Sequence, residues 1–394
     1  MSLYKHFHDN IYHYFHTELS KLELSVWLHT IGNSLINMFI PIILLMSGFS
    51  LIQVIFFLFI FNLIDVPLNF TARWFTIKIG ARNTIIIGML FEIISFIILY
   101  YATFNWIILL TFAFASAVFD TFYWVAQWFI FNECVRIKKG TGKQVGFLFI
   151  VRKVGSLISP LIGALFLIFL DKRFLIFLSI LFIIFSIIPL FWIKLDFMQP
   201  KIKQNFRKFF KDKENKTNFF SLLLKVIPET VESTVLPIFI FITFSSLETV
   251  GILPMITTFS SIIFTYYIGK FADKYNKTSL MLLGSLSVAL IWIIRALFPQ
   301  ISIFYISTIF MGFVASLIDV PIDTKLVENG KKTSMLDTST YRNTAYMFMN
   351  MIFFGILYFA IEIFKVSFIV ASFSMFILSI FCTIILLRER NIKR

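Results

Sequence analysis

Gly269-Lys-Phe-Ala-Asp-Lys-Tyr-Asn-Lys277 is a short charged stretch that separates two long apolar runs, residues 248–268 and 279–298. It is too short to form a domain and too charged to lie in hydrocarbon. We therefore expect a tight loop at a membrane surface, joining two antiparallel helices that cross the membrane. The same alternation of apolar runs and short polar segments continues in both directions along the chain.

The composition of the chain indicates a polytopic membrane protein. Of its 394 residues, 59% are hydrophobic and 14% are charged, which is more apolar surface than a soluble domain can bury. The net charge of +14 does not indicate nucleic-acid binding, because the cations cluster in short segments between apolar runs. Two cysteines, Cys134 and Cys382, are too few for a disulfide framework, so we expect two free thiols.

Apolar runs of about 20 residues, the length that crosses a ~30 Å hydrocarbon core, recur along the sequence. Each run must be helical, because backbone groups have no water partners in lipid. We predict an all-α polytopic membrane protein with twelve transmembrane helices, near residues 25–46, 51–71, 83–102, 106–131, 145–169, 174–194, 219–244, 248–268, 279–298, 301–325, 341–363 and 366–387.

Lysine and arginine fall mainly on one side of these predicted spans. Segments 73–82, 136–143 and 270–277 are basic, whereas the other side carries chiefly Lys172, Arg173 and Lys365. The positive-inside rule therefore predicts that both termini are cytoplasmic, including the tail 389–394. We expect a monomer in the cell (plasma or inner) membrane, in contact with membrane lipid.

Two polar segments leave alternatives open. The N-terminal segment 1–24 contains four histidines, which can bind metal or can belong to a short interfacial helix. We favour the interfacial helix, because no cysteine or carboxylate cluster completes a metal site. The basic linker 196–218 has apolar residues at helical spacing, so it is either a helix on the anionic inner leaflet or a solvated connection.

Two landmarks repeat at one spacing. Phe39-Ile-Pro-Ile42 recurs as Val235-Leu-Pro-Ile238, so that Pro41 and Pro237 are 196 residues apart, and Gly80 and Asn276 are also 196 apart. One shared spacing predicts a duplicated chain, with six helices in residues 25–195 and six in residues 219–388.

The charged stretch also resembles the G-x-x-x-D-[RK]-x-G-x-[RK] loop of the major facilitator superfamily of secondary transporters. Gly269, Asp273 and Lys274 match it, Asn276 replaces the second glycine, and Lys277 lies one position before the final basic residue of the pattern. A degenerate first copy of this loop includes Lys78–Arg82. In the positions before it, Ile77 replaces the acidic residue and Arg73 replaces the first glycine.

The resemblance implies two pseudo-symmetric six-helix bundles that rock to expose a central path alternately to each side. It also implies a conformational gate, in which Asp273 faces the start of the predicted fifth helix near Lys143–Gly146. The alternative is a loop that only caps the ninth helix. We assign to this gate Gly269, Asp273, Lys274, Lys277 and Arg342.

Polar residues recur on corresponding faces of the two halves. The stripe His29, Asn33 and Asn37 shifts by 196 to Lys225, Glu229 and Ser233. Charged residues inside a membrane are costly and face a partner or a wet cavity. We therefore predict a central substrate and proton path formed by Asn33, Asn37, Asp65, Asp120, Trp124, Gln127, Arg152, Glu229, Glu232 and Asp319.

The depth of each residue in its predicted helix divides this set into mid-membrane residues and residues near the membrane surface. Asp120 and Glu229 lie near mid-membrane, where a functional role competes with a buried structural pair, such as Asp120 with Arg152. Asp323 and Arg342 lie near the cytoplasmic ends, where an ordinary ion pair fits equally well. We expect His29 and Lys225 to reach the inner interface by snorkelling.

The predicted function is secondary active transport of a small solute by alternating access, coupled to H⁺. Glu229 or Asp120, shielded from water, can bind and release the proton, and Glu232 favours protonation of Glu229 by repulsion. Residues 155–164 weakly echo the G-P-x-x-G-G element of exporters, although a proline-kinked helix explains them as well. The alternative is a non-accumulating membrane protein, such as a lipid translocator or a sensor.

No enzyme or cofactor motif occurs, so we expect neither catalysis nor a bound cofactor or metal. The substrate remains open between an amphipathic cation, a zwitterion and a sugar.

Overall fold

The structure is a computed structural model that describes residues 18–102, 105–134, 141–193 and 211–393. Within these ranges the chain is almost entirely helical and contains no strand. The first half of the chain forms α1 (Glu18–Ile36), α2 (Ile40–Met46), α3 (Leu51–Ile79), α4 (Ala81–Tyr100), α5 (Trp106–Cys134), α6 (Thr141–Ser156), α7 (Ser159–Phe169) and α8 (Lys172–Phe191). The second half forms α9 (Lys213–Thr230), α10 (Leu236–Phe244), α11 (Leu247–Lys274), α12 (Lys277–Leu297), α13 (Ile301–Lys332), α14 (Met335–Tyr358) and α15 (Ile363–Lys393).

Eleven helical stretches in the described residues are long and apolar enough to cross a membrane, which confirms a multi-pass membrane protein. α14 overlaps the predicted span 341–363 but is not among the eleven. Arg342, Asn343 and Asn350 lower its apolar content, although its length matches the others. The predicted count of twelve therefore stays a prediction.

Three spans are broken just before a proline. A 3₁₀ turn, Asn37–Phe39, separates α1 from α2, and a π turn, Val231–Val235, separates α9 from α10. Pro41, Pro237 and Pro160 occupy the first turns of α2, α10 and α7. Proline lacks the backbone N–H that would continue a preceding helix, so it sets these breaks. The kinked-helix interpretation of residues 155–164 is confirmed.

Helix boundaries repeat at the spacing seen in the sequence. α3 and α11 begin at Leu51 and Leu247, and α4 and α12 begin at Ala81 and Lys277, each pair 196 residues apart. Packing repeats as well. α1 packs on α8 and α6 as α9 packs on α15 and α14, and α3 packs on α5 as α11 packs on α13.

Contacts between the two halves of the chain run along two seams. α3 packs against α14, and α6 and α7 pack against α11. The outer surface carries exposed apolar side chains, such as those of Ile107, Phe177 and Phe373. Such side chains suit a surface that contacts lipid tails.

The prediction of a loop over residues 269–277 is wrong. α11 continues to Lys274, and only Tyr275 and Asn276 separate it from α12. A helix satisfies its own backbone hydrogen bonds, so it can continue beyond the hydrocarbon while its lysines reach water. Asn276 caps α12 by accepting a hydrogen bond from the Thr278 backbone N–H at 2.8 Å.

The equivalent turn in the first half is built differently. Gly80 separates α3 from α4 with φ of +85°, a conformation that favours glycine, whereas Asn276 has φ of −64°. Asn276 can therefore replace the signature glycine without strain. We call the end of the molecule that carries these two turns the basic end, and the other end the opposite end.

Residues 1–17 of the predicted N-terminal segment and residues 196–210 of the basic linker lie outside the described residues, whereas residues 18–24 belong to α1. The interfacial-helix, metal-binding and surface-helix interpretations of those segments stay predictions.

We expect Gly312→Ala to lower the free energy of unfolding by about 1–3 kcal/mol, because the backbone of α11 would have to move. A β-carbon at Gly312 would collide with the Thr257 carbonyl oxygen and lie 2.9 Å from the Ser260 β-carbon. In the matched control, Gly355→Ala, the new β-carbon would lie 3.4 Å from the Phe59 ring, an ordinary contact. Thermal unfolding of the purified variants in detergent measures the difference. Equal midpoints would contradict the close α11–α13 crossing.

Candidate functional site

A cavity of about 440 Å³ lies between the two halves of the chain. It extends from the middle of the helices toward the opposite end. A second cavity of about 180 Å³ lies beside it and shares Glu232, Ser233 and Thr257 with the first. Most predicted path residues line one of the two cavities: Asn33, Asn37, Asp120, Trp124 and Glu232 line the first, and Glu229, Glu232 and Asp319 line the second.

Three predicted path residues, Asp65, Gln127 and Arg152, lie behind the cavity walls. Arg152 Nη2 donates a hydrogen bond to Gln127 Oε1 at 2.5 Å. The Arg152 guanidinium also lies over the rings of Trp124 and Trp128, at 5.0 and 5.7 Å from their centroids. The alternative of a structural pair between Asp120 and Arg152 is wrong, because the guanidinium turns along the face of α5 to these aromatic rings.

The first half of the chain buries a carboxylate that our sequence analysis did not identify. Glu92 on α4 is fully buried and lies 2.8 Å from His29 Nε2. Asn33 Nδ2 donates to the other Glu92 oxygen at 2.9 Å, and the His29 ring stacks on Tyr123 with centroids 4.0 Å apart. The expected snorkelling of His29 is wrong, because its contact with Glu92 on a neighbouring helix keeps the ring inside.

A hydrogen-bonded chain crosses between the halves below the cavity. Asn69 Nδ2 donates to Asp65 Oδ1 at 3.0 Å, and Asn343 Nδ2 on α14 donates to Asn69 Oδ1 at 3.0 Å. The same Asn343 nitrogen lies 3.4 Å from Asp120 Oδ2. Asp120 is thus held by a residue from the other half of the chain.

The second half carries a compact ionic cluster beside the smaller cavity. Lys225 Nζ lies 3.0 Å from Asp319 Oδ1 and 3.7 Å from Glu229 Oε2. Tyr346 donates its hydroxyl hydrogen bond to Glu229 at 2.9 Å. The expected snorkelling of Lys225 is wrong for the same reason as that of His29. Lys225 is buried, whereas half of the Glu229 side chain is exposed.

Glu232 has a dedicated counter-ion. Arg295 on α12 is fully buried and forms an ion pair with Glu232, and it donates further hydrogen bonds to Ser307 and Thr308 at 2.8 and 2.9 Å. This pair compensates the charge of Glu232. The expected repulsion between Glu232 and Glu229 is therefore not supported.

Contacts between the halves close the basic end. Arg73 Nε lies 2.7 Å from Asp337 Oδ1, and Asp337 is 1% exposed. Lys153 Nζ donates to Thr265 Oγ1 at 3.0 Å, and Asn132 Nδ2 donates to Ser339 Oγ at 3.4 Å. These contacts join α3, α5 and α6 to α11 and α14, so the cavity does not continue to the basic end.

The predicted gate residues have different surroundings. Gly269 packs at the start of α6, because a β-carbon on Gly146 would lie 3.6 Å from its Cα. Lys277 lies 3.1 Å from Glu328, and Arg342 lies 3.3 Å from Asp323. The Arg342 guanidinium also lies 4.1 Å from the Trp128 ring centroid.

Asp273 and Lys274 lie at an exposed surface, where α11 ends. Lys143, one of the residues that Asp273 was expected to face, lies among side chains that the structure does not describe. The brace between Asp273 and the start of α6 stays a prediction.

Sequence reasoning missed Glu92, Lys153, Arg295 and Asp337. The first three are charged residues within apolar runs, and such residues are by themselves candidates for function or for buried pairs. Their partners are 12 to 163 residues away in the sequence, so no local spacing indicates them. Among the described residues, no group of three or more His, Cys, Asp or Glu side chains forms a metal site.

Arg73→Gln should loosen the basic end, because it removes the counter-charge of the buried Asp337. We would replace Cys134 and Cys382 by serine, introduce Ser339→Cys, and measure alkylation by N-ethylmaleimide. Breaking a buried ion pair costs about 3–5 kcal/mol of stability. If about 1.4 kcal/mol of this cost is lost from the closed state, the basic end opens about tenfold more often, and residue 339 is labelled at least about tenfold faster. Ser285→Cys, buried on α12 away from the other half, should stay slow. An unchanged rate at residue 339 would contradict the role of this pair in closure.

The sequence and the fold both resemble those of known membrane transporters. The sequence profile of the Major Facilitator Superfamily matches residues 22–318. The comparison with curated proteins finds no match. The crystal structure of the human organic anion transporter MFSD10 (TETRAN) has a TM-score of 0.68 at 9% identity, over 92% of this chain and 98% of that chain.

Two further crystal structures have similar folds. A bacterial homologue of the iron transporter ferroportin, in its outward-facing state, has a TM-score of 0.68 at 14% identity, over 93% of this chain and 98% of that chain. A POT family transporter in complex with a thioalcohol-conjugated peptide has a TM-score of 0.73 at 12% identity, over 95% of this chain and 96% of that chain. Likeness at these identities concerns the fold. Because the family profile covers more than half of the sequence, the chain belongs to the Major Facilitator Superfamily and is a membrane transporter.

Proposed function

We propose that the protein is a secondary active transporter that moves a small organic cation in exchange for H⁺. Two six-helix bundles, residues 25–195 and 219–388, rock about the central cavity to expose it alternately to each side. The 196-residue correspondence of helix boundaries and packing supports the duplication. The cavity between the halves and the closed basic end support alternating access.

The basic loops support a cytoplasmic location for the basic end and for both termini, under the positive-inside rule. With this orientation, the structure corresponds to a state whose cavity is directed outward. The membrane is then the plasma or inner membrane of the cell.

The observation that carries the proposed substrate class is the charge of the larger cavity. Asp120 and Glu232 line it, and no lysine or arginine is among its lining residues in the described part of the chain. Arg295 compensates Glu232, whereas Asp120 accepts a hydrogen bond from a neutral donor, the Asn343 amide. Phe57, Phe61 and Phe119 add apolar and aromatic surface, which suits a cation with an apolar body.

Exchange follows if H⁺ and the cationic substrate share one binding group, the Asp120 carboxylate. If H⁺ and the substrate bind Asp120 in turn, each half-cycle carries one of them. An inward proton gradient then drives export of the substrate.

Tetraphenylphosphonium should bind the purified transporter, whereas tetraphenylborate, an anion of nearly the same shape, should not. Asp120→Asn should weaken tetraphenylphosphonium binding at least about tenfold, the effect of about 1.4 kcal/mol, because the cavity loses its uncompensated charge. The control is Asp171→Asn, which also removes one carboxylate but at an exposed helix cap that asparagine can keep. This variant should bind tetraphenylphosphonium like the parent protein. Equal binding of the two probes would overturn the proposed substrate class.

Transport is measured in proteoliposomes with an imposed pH gradient. Accumulation of tetraphenylphosphonium against its own gradient, with proton counter-movement, is the expected result. Binding without accumulation would favour the alternative, a lipid translocator or a sensor on the same scaffold.

A further inference from the structure

We propose that Asp65 is held protonated and donates a hydrogen bond to Asp120, so that the two carboxyls together carry one negative charge. Asp120 is then the site where H⁺ and substrate exchange. Asp65 is a positioning residue that keeps the charge of the two carboxyls at −1. The transport role of this pair rests on the proposed function, but its protonation can be tested without transport.

The geometry distinguishes the two carboxyls. Asp65 on α3 is fully buried, and its Oδ1 accepts the hydrogen bond from Asn69. Its Oδ2 is buried and has no donor among the described residues, although the carboxyl contacts that of Asp120 within hydrogen-bonding reach. Two ionised carboxylates in such contact repel one another, and a proton on one of them turns the contact into a hydrogen bond.

The proton belongs on Asp65. Asp120 lines the cavity and already accepts a hydrogen bond from the Asn343 amide. Donors of this kind stabilise an ionised carboxylate, whereas the orphaned oxygen of Asp65 needs a proton of its own.

Charged groups on the neighbouring helices do not neutralise the pair. Glu92 on α4 adds negative charge, and His29 on α1 is paired with it. Arg342 on α14, next to Asn343, is paired with Asp323 on α13. Among the described residues, no Lys, Arg or His side chain forms an ion pair with Asp65 or Asp120.

A single negative charge has a functional consequence. It matches one H⁺ or one monovalent organic cation, which is the stoichiometry that one-for-one exchange requires. Binding of H⁺ to Asp120 would also weaken its hydrogen bond from Asn343, because bonds to charged acceptors are the stronger ones. Asn343 lies on the other half of the chain, so occupancy of the pair affects the contacts that close the basic end.

The first test is infrared difference spectroscopy of the purified protein at neutral pH, without substrate. We expect a C=O stretching band of a protonated carboxyl that disappears in Asp65→Asn. The band should persist in Asp120→Asn and in the control Asp171→Asn. An unchanged band in Asp65→Asn, or no band in the parent protein, would overturn the assignment.

The second test is a rescue series of tetraphenylphosphonium binding. Asp65→Ala removes the donor to Asp120 and should weaken binding, whereas Asp65→Asn supplies an amide donor in its place and should restore most of the affinity. Equal losses in Asp65→Asn and Asp120→Asn would show that both carboxylates bind the cation directly, against the proposal. If the parent protein does not bind the probe, the substrate class fails, and the infrared result still decides the protonation of Asp65.

Discussion

Most ionisable side chains inside the membrane-spanning part of this protein form acid–base pairs with a side chain on a neighbouring helix. His29–Glu92 joins α1 to α4, Lys225–Asp319 joins α9 to α13, and Glu232–Arg295 joins the π turn to α12. Removing one partner of such a pair costs several kcal/mol, so each pair also fixes the rotation of two helices. Helices in lipid gain little from apolar burial, and polar contacts therefore contribute to their arrangement. Asp120 lacks an ionic partner of this kind, and it lies on the cavity wall.

The contacts between the two halves of the chain are of a weaker kind. Apart from Arg73–Asp337, the cross-half contacts at the basic end are mostly hydrogen bonds with at least one neutral partner, such as Asn343–Asn69 and Lys153–Thr265. A net value of about 0.5–1.5 kcal/mol for a typical hydrogen bond makes such contacts reversible. Strong ionic pairs within each half and weaker contacts between them favour movement of each half as a unit.

The sequence predicted the helical spans, the 196-residue repeat and the inward face of Asn33, Asp120 and Glu229, because each follows from periodicity or from the cost of burying charge. It did not predict the fate of His29 and Lys225. Distance from the predicted helix end favoured snorkelling, but the counter-charges lie 63 and 94 residues further along the chain. The depth of a side chain in the membrane follows from its position in the predicted helix. The rotation of that helix, and the helix that packs against it, depend on tertiary packing and do not follow from the sequence pattern.

The 196-residue repeat accounts for the positions of helix boundaries but not for the chemistry of the cavity. The helix breaks before Pro41 and Pro237 correspond, and they place Asn37 and Ser233 on the cavity wall. The charges do not correspond, because the positions equivalent to Asp120 and Glu92 are Ser316 and Val288. A symmetric pair of carboxylates on facing helices would double the negative charge and require two counter-ions. This asymmetry leaves the larger cavity with one acidic side chain that lacks an ionic partner, which is the condition for the proposed competition between a proton and a single organic cation.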